Sequence, residues 1–100
     1  MPRTIDDILR RYPGRVPVRV NTTDIELENT KYLVPQDMTA EHFTMLVRKS
    51  MKINDHEAIF MFLENSTLPP VSRTFEELYK DHASPDGMLQ VTYTKENTFG

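Results

Sequence analysis

One hundred residues with 38% hydrophobic content suffice for one compact domain around one core and are too few for two. Fifteen acidic against twelve basic side chains leave a net charge of −3, which argues against general nucleic-acid binding and gives no electrostatic reason to rest on an anionic membrane. The absence of cysteine excludes a disulfide framework, a thiolate metal site, a cysteine nucleophile and any thioester carried by the chain itself.

The run from Met1 to Arg11 is charged and has no apolar core of the kind a cleaved signal needs. No stretch approaches the roughly 20 apolar residues of a membrane span, so a cytosolic protein is expected, and membrane attachment would need a covalent lipid. Thr4 precedes Ile5 and two aspartates, a near capping box, and Ile5, Ile8, Leu9 and Tyr12 recur on one helical face until Pro13-Gly14 ends the run. The spacing predicts an N-terminal helix within residues 1–14. Arg15 to Val20 alternates, with Val16, Val18 and Val20 on one side and Pro17 and Arg19 on the other, as a strand with one buried face does. Pro17 removes a ladder donor, which puts the strand, or this part of it, near an edge. Asn21 to Asp24 reads as a turn, and Lys31 to Val34 as a second short strand closed by Pro35.

Thr39 is placed to cap the one long helix, whose apolar stripe is Ala40, Phe43, Leu46 and Val47, with His42, Arg48 and Lys49 turned outward. The continuous apolar run Ala58 to Leu63 reads as a buried strand in mid-sheet. After Pro69-Pro70, Thr74-x-x-Glu77 is a full capping box, and Phe75, Leu78 and Tyr79 supply the apolar side of a short helix. Pro85-Asp86-Gly87 makes a turn into a last strand, Met88 to Tyr93, and residues 95–100 form a polar tail. Helix, strand, strand, helix, strand, short helix, strand suits an α+β roll, a four-strand mixed sheet covered by one helix, as a single domain over 1–100.

Several signals point away from catalysis. His42, His56 and His82 are far apart with no i, i+4 pair, so no metal site is expected. Asp6-Asp7 and Glu76-Glu77 imitate paired catalytic carboxylates, yet adjacent helix residues diverge and both pairs sit in first turns where capping explains them. Glycine occurs only at 14, 87 and 100, and no phosphate loop or nucleophile elbow is present. The chain reads as a non-enzyme without a cofactor.

Tyr12 to Val18 (YPGRVPV), Lys31 to Pro35 (KYLVP), Leu46 to Lys49, Ala58 to Phe62 (AIFMF), Leu68 to Pro70, Glu77 to His82 (ELYKDH) and Tyr93 to Gly100 (YTKENTFG) together resemble the autophagy-related protein 8 family, which includes the GABA-receptor-associated protein and microtubule-associated light chain 3. The likeness runs in unbroken order from about Ile5 to the last residue. It implies a ubiquitin-like fold, activation of the C-terminal Gly100 by dedicated activating and conjugating enzymes, and transfer to phosphatidylethanolamine on forming autophagosomes. It also implies a processing or deconjugating cysteine protease, and a chain that is either made mature or trimmed to Gly100. Glycine suits such a terminus because no side chain blocks attack on its carbonyl. Phe99, Phe60 and Phe62 match positions that meet the conjugation enzymes, although burial explains the last two equally well.

The resemblance also makes Lys31 to Val34 a docking edge for receptor and adaptor peptides with an aromatic-x-x-aliphatic motif. A first pocket, for the aromatic residue, would comprise Ile8, Pro17, Leu33 and Met88 with the Lys31 stem as wall. A second, for the aliphatic residue, would comprise Tyr32, Val34, Pro35, Met38, Phe43, Leu46 and Val47. Helix and strand spacing makes Tyr32, Phe43, Leu46 and Val47 core residues as well, and Arg15, Lys31 and Arg48 are either solvated surface charges or contacts to acidic residues flanking the peptide.

Three departures stand out. Family members usually carry a longer N-terminal extension forming an additional helix. The link between the first two strands is shorter here than usual, and the turn from Glu64 to Thr67 is a residue longer, both loop changes that spare the core. Arg19 stands where the family generally has an aliphatic residue, making the first pocket smaller or more polar and adding to a preference for acidic flanks. Two other functions fit the same pattern: a protein-conjugated modifier of the autophagy-related protein 12 type, and a non-conjugated trafficking adaptor.

Overall fold

The computed structural model describes residues 10–64 and 68–95. The expected helix before Arg10, most of the turn from Glu64 to Thr67, and the tail beyond Lys95 lie outside the described residues. Within them the chain forms β1 (Arg15–Thr22), β2 (Lys31–Pro35), α1 (Ala40–Arg48), β3 (Phe60–Leu63), α2 (Phe75–His82) and β4 (Leu89–Thr94), the succession expected after the first helix. The strands lie in the order β2-β1-β4-β3, with β1 and β4 parallel at the centre and antiparallel pairs on either side.

Two helix starts are made from each other. The Thr39 and Thr74 side chains cap α1 and α2 as expected, accepting from the His42 and Glu77 amides, and Glu77 returns the bond to the Thr74 amide. The remaining orphan donors are met reciprocally. The amides of Ala40 and Glu41 donate to the carbonyls of Arg73 and Val71, just before α2, while those of Phe75 and Glu76 donate to Met38 and Gln36, just before α1.

The register sorts the side chains into two faces. Val16, Val18 and Val20 of β1, Val34 of β2, Met61 and Leu63 of β3, and Leu89, Val91 and Tyr93 of β4 share the helix-covered face and form the core with Ala40, Phe43, Val47, Phe75 and Leu78. Phe43 meets Tyr32 and Phe75 edge to face, with centroids 5.5 and 5.0 Å away, so one row of rings ties β2 to α1 and α1 to α2. A hydroxyl pair, Thr44 with Tyr93 at 2.8 Å, ties α1 to β4.

Three expectations change. The apolar run at Ala58 to Leu63 is not in mid-sheet: only Phe60–Leu63 is strand, and it forms the β3 edge. The run is continuous because both faces are covered, Met61 and Leu63 by the helices while Phe62 is buried on the opposite side. The strand carrying Pro17 is central, not an edge. The Val20 amide donates to Thr30, so by alternation Val16 and Val18 also face β2 while Pro17 faces β4, and pairing with β4 begins only at Val18. The missing donor thus falls one residue before the ladder that would have used it. Finally, β1 extends to Thr22, past the start of the expected turn. The link that follows drops Ile25 into the core and bridges Leu27 to Met51.

Candidate functional site

Among the described residues β2 has a neighbouring strand on one side only. Since Thr30, Tyr32 and Val34 turn their backbone polar groups toward β1, those of Lys31 and Leu33 point off the sheet. Pro35 has no amide and its carbonyl accepts from Met38, so the edge stops there. Side chains alternate the other way: Tyr32 and Val34 lie on the helix face, Lys31 and Leu33 on the opposite face. One short edge therefore separates two different faces, and the helix face carries a hollow.

On the helix face, Tyr32, Val34, Pro35, Met38, Phe43, Leu46 and Val47 line a single apolar cavity of about 230 Å³, joined by Leu33 and Ser50. All seven residues expected in the second pocket are brought together. The space is below the roughly 300–1,000 Å³ of a drug-sized ligand site and has room for an aliphatic side chain. Leu46 belongs to its rim: it is 44% exposed, whereas Phe43, three residues earlier on the same helix, is 4% exposed. The Tyr32 hydroxyl donates to the Asn29 carbonyl at 2.8 Å, which fixes the ring as a wall.

On the opposite face, Pro17 pairs with Leu33 and Arg19 with Lys31 across β1 and β2, and Met88 leads into β4 beside them. Ile8, the remaining residue expected there, lies outside the described residues. Pro17 is fully buried and Met88 nearly so. Among the described residues the Arg19 Nη2 reaches only the Met88 sulfur, at 3.8 Å, and the buried Nε has no acceptor. The Arg15 guanidinium donates to the Leu33 carbonyl at 3.4 Å, holding a cation at the open edge.

Other expected residues fall elsewhere. Arg48 is turned from the groove to the 54–57 loop, donating to the carbonyls of Asn54, Asp55 and Glu57. Phe62 is buried, while Phe60 is partly exposed and pairs with Thr94 where β4 gives way to the tail. Phe99 and Gly100 lie outside the described residues. The expectation at the sequence level missed a second apolar hollow of about 250 Å³ between α1 and the chain after β3, rimmed by the exposed Met45, Leu68 and Val71. Its signal was present in the large apolar Met45 on a helix face that otherwise reads as outward.

Among the described residues no group of three or more His, Cys, Asp or Glu could hold a metal ion, and no helix is long and apolar enough to cross a membrane. Two carboxylates are held below the usual range: Glu57 by the Asn54 amide and Lys95, and Glu77 by the Thr74 amide and hydroxyl. Both serve loop and helix ends rather than a reaction centre.

The sequence profile described as "Autophagy protein Atg8 ubiquitin like" matches residues 3–100. Autophagy-related protein 8 of Schizosaccharomyces pombe is 41% identical over 97 residues, spanning 93% of this chain and 79% of the relative. Autophagy-related protein 8b of Arabidopsis thaliana is 42% identical with the same coverage. The crystal structure of Trypanosoma brucei ATG8 superposes with a TM-score of 0.84 at 32% identity, covering 96% of this chain and 85% of that one. With the four-strand mixed sheet and its two covering helices, these similarities settle the matter: the chain belongs to the Atg8 family of ubiquitin-like autophagy proteins.

Proposed function

We propose that this protein is a modifier rather than an enzyme, joined through the Gly100 carboxyl to the amine of phosphatidylethanolamine, and that on forming autophagosomes it recruits receptor and adaptor peptides by adding them as a strand to β2. The observation that carries the recruitment half is the open β2 edge with an apolar hollow on its helix face. In an extended peptide, residues an odd number apart point to opposite faces, so of two anchors three residues apart one enters the helix-face hollow and the other lies on the face of Pro17 and Leu33, while the backbone pairs with Lys31 and Leu33. Burying two such side chains contributes roughly 1.5–3 kcal/mol each before association costs, which suits micromolar, reversible binding.

The conjugation half rests on family membership and on the tail. The partly exposed Phe60 pairs with Thr94 at the end of β4, next in the chain to the tail, which suits an enzyme that engages Phe60 and the tail together. The protein is cytoplasmic before the reaction and on the autophagosome membrane after it, held by the covalent lipid and needing no resident cofactor.

The test is to incubate the chain with activating and conjugating enzymes of the family, ATP and phosphatidylethanolamine liposomes, and to follow product mass, with Gly100→Ala as control. One added lipid on the wild type alone supports the proposal. An adduct on protein lysine instead would make it a protein-conjugated modifier, and no reaction with enzymes active on a known substrate would leave a non-conjugated adaptor.

A further inference from the structure

The last rung between β3 and β4 is Phe60 with Thr94, and the chain bends at the next residue, Lys95. The Lys95 ammonium lies 3.1 Å from the carboxylate of Glu57, with 30% and 31% of the two side chains exposed. Every other ion pair between described residues is more open to water, so this one is the least screened. Glu57 is held independently of Lys95. Its other oxygen accepts from the Asn54 amide at 2.9 Å, and Arg48, at the end of α1, donates to the carbonyls of Asn54, Asp55 and Glu57. Closing the 54–57 loop thus uses Arg48 and one carboxylate oxygen, while the second oxygen is given to the root of the tail. Pairing with a carboxylate that is already fixed orders one long side chain instead of two.

We propose that Glu57 and Lys95 are positioning residues for conjugation: their ion pair fixes the point and direction at which the tail leaves the sheet, so that the activating enzyme takes up a root already aimed. The inference rests on conjugation through Gly100. Residues 96–100 span at most about 17 Å when fully extended, and turning the root of such an arm by about 30° swings its end through about 9 Å. A root fixed before the encounter spares the complex the ordering of Lys95. The gain is spent on binding and not on the chemical step, so it belongs in KM and leaves kcat alone.

The test is the rate of ATP-dependent thioester formation with the activating enzyme, measured against chain concentration for the wild type, Glu57→Gln, Lys95→Met, the double variant and Lys95→Arg. Glu57→Gln keeps an oxygen for the Asn54 amide, and Lys95→Met keeps the aliphatic stem. Each single variant should raise KM about threefold at unchanged kcat, the double variant should be no worse than either, and Lys95→Arg should stay near the wild type. The NMR heteronuclear NOE of the Lys95 amide should fall equally in the first three, while the Asn54 amide keeps its shift in Lys95→Met. An unchanged KM in the single variants, or a loss in kcat instead, overturns the inference and leaves conjugation standing. If Lys95→Met raises KM as much in the Glu57→Gln background as in the wild type, Lys95 touches the enzyme directly and the inference also fails. No thioester from the wild type, with enzymes that charge a known substrate, removes the conjugation reading and this inference with it.

Discussion

Tyr93→Phe removes one oxygen from the centre of the molecule and should do opposite things at neutral and alkaline pH. Tyr93 is fully buried, and its hydroxyl has the Thr44 hydroxyl at 2.8 Å as partner. Losing that bond costs about 1 kcal/mol, because Thr44 stays partly exposed and can turn to water. For a domain of this size the melting temperature falls by roughly 4–8 °C. Burial, the chief cause, raises the folded-state phenol well above its ordinary 10.0. The group's stabilisation is therefore complete below the unfolded value and is lost as pH rises from there through the folded value, since only the unfolded chain gives up the proton. The loss approaches about 1.4 kcal/mol for each pH unit, so near pH 11 it exceeds the hydrogen-bond gain of about 1 kcal/mol. Phenylalanine has no such liability. Urea midpoints followed by far-ultraviolet circular dichroism should place the variant below the wild type at about pH 8 and level with or above it near pH 11. Tyr32, also raised by burial, contributes equally to both proteins and cancels. Parallel pH profiles would mean that Tyr93 ionises in the folded state as readily as in the unfolded one, and the reasoning would fail.

Leu46→Ala should weaken a Leu-anchored peptide by about tenfold in calorimetry while changing stability by less than about 1 kcal/mol, because the side chain is largely exposed at the rim. Phe43→Ala, from the buried wall of the same cavity, should cost about 3–5 kcal/mol in urea unfolding and fail through the fold instead. Thr74→Ala should cost about 1 kcal/mol and let the Glu77 carboxyl return toward its ordinary 4.5, readable by carboxyl NMR. Glu57 and Glu77 are both depressed, so their contribution is present above 4.5 and disappears as pH falls through their folded-state values; an acid titration of the wild type should show that loss, and Glu77→Gln should reduce it. Arg48→Met should speed amide exchange in residues 54–57, whose carbonyls lose their shared guanidinium, while the core amides of β1 hold.

Local chemistry was legible in the chain. Thr39, Thr74 and Glu77 announce helix starts, Pro13-Gly14 and Pro85-Asp86-Gly87 announce turns, and the alternation in β1 and β4 names the core face. Gly14 and Gly87 take positive φ, as those turns require. Lateral order in the sheet was not legible. A continuous apolar run such as Ala58 to Leu63 reports that both faces of a strand are covered and says nothing about its neighbours, which long-range pairing decides. Pro17 misled for the same reason, since its missing donor mattered only relative to where β4 begins. Ile25 could have been found, because Ile25 and Leu27 alternate with Glu26 and Glu28, but a turn signal just before them hid a period too short to stand alone. For the groove, the second pocket came from the family resemblance, since spacing alone reads Tyr32, Phe43, Leu46 and Val47 as core, whereas the orphan donor of Arg19 needs side-chain geometry.

The reciprocal donors at the starts of α1 and α2 make the two helices conditional on each other. Neither start is completed by sequence-local bonds alone, so whatever pulls the segment at Val71 to Thr74 away takes two acceptors from α1 and the Thr74 cap from α2 in one event. Amides at Ala40 and Phe75, 35 positions apart, should then exchange with a common opening free energy. Because α1 is also a wall of the β2 cavity, a protein gripping Leu68 and Val71 would hold a handle on how firmly a peptide is clasped on the other side of that helix.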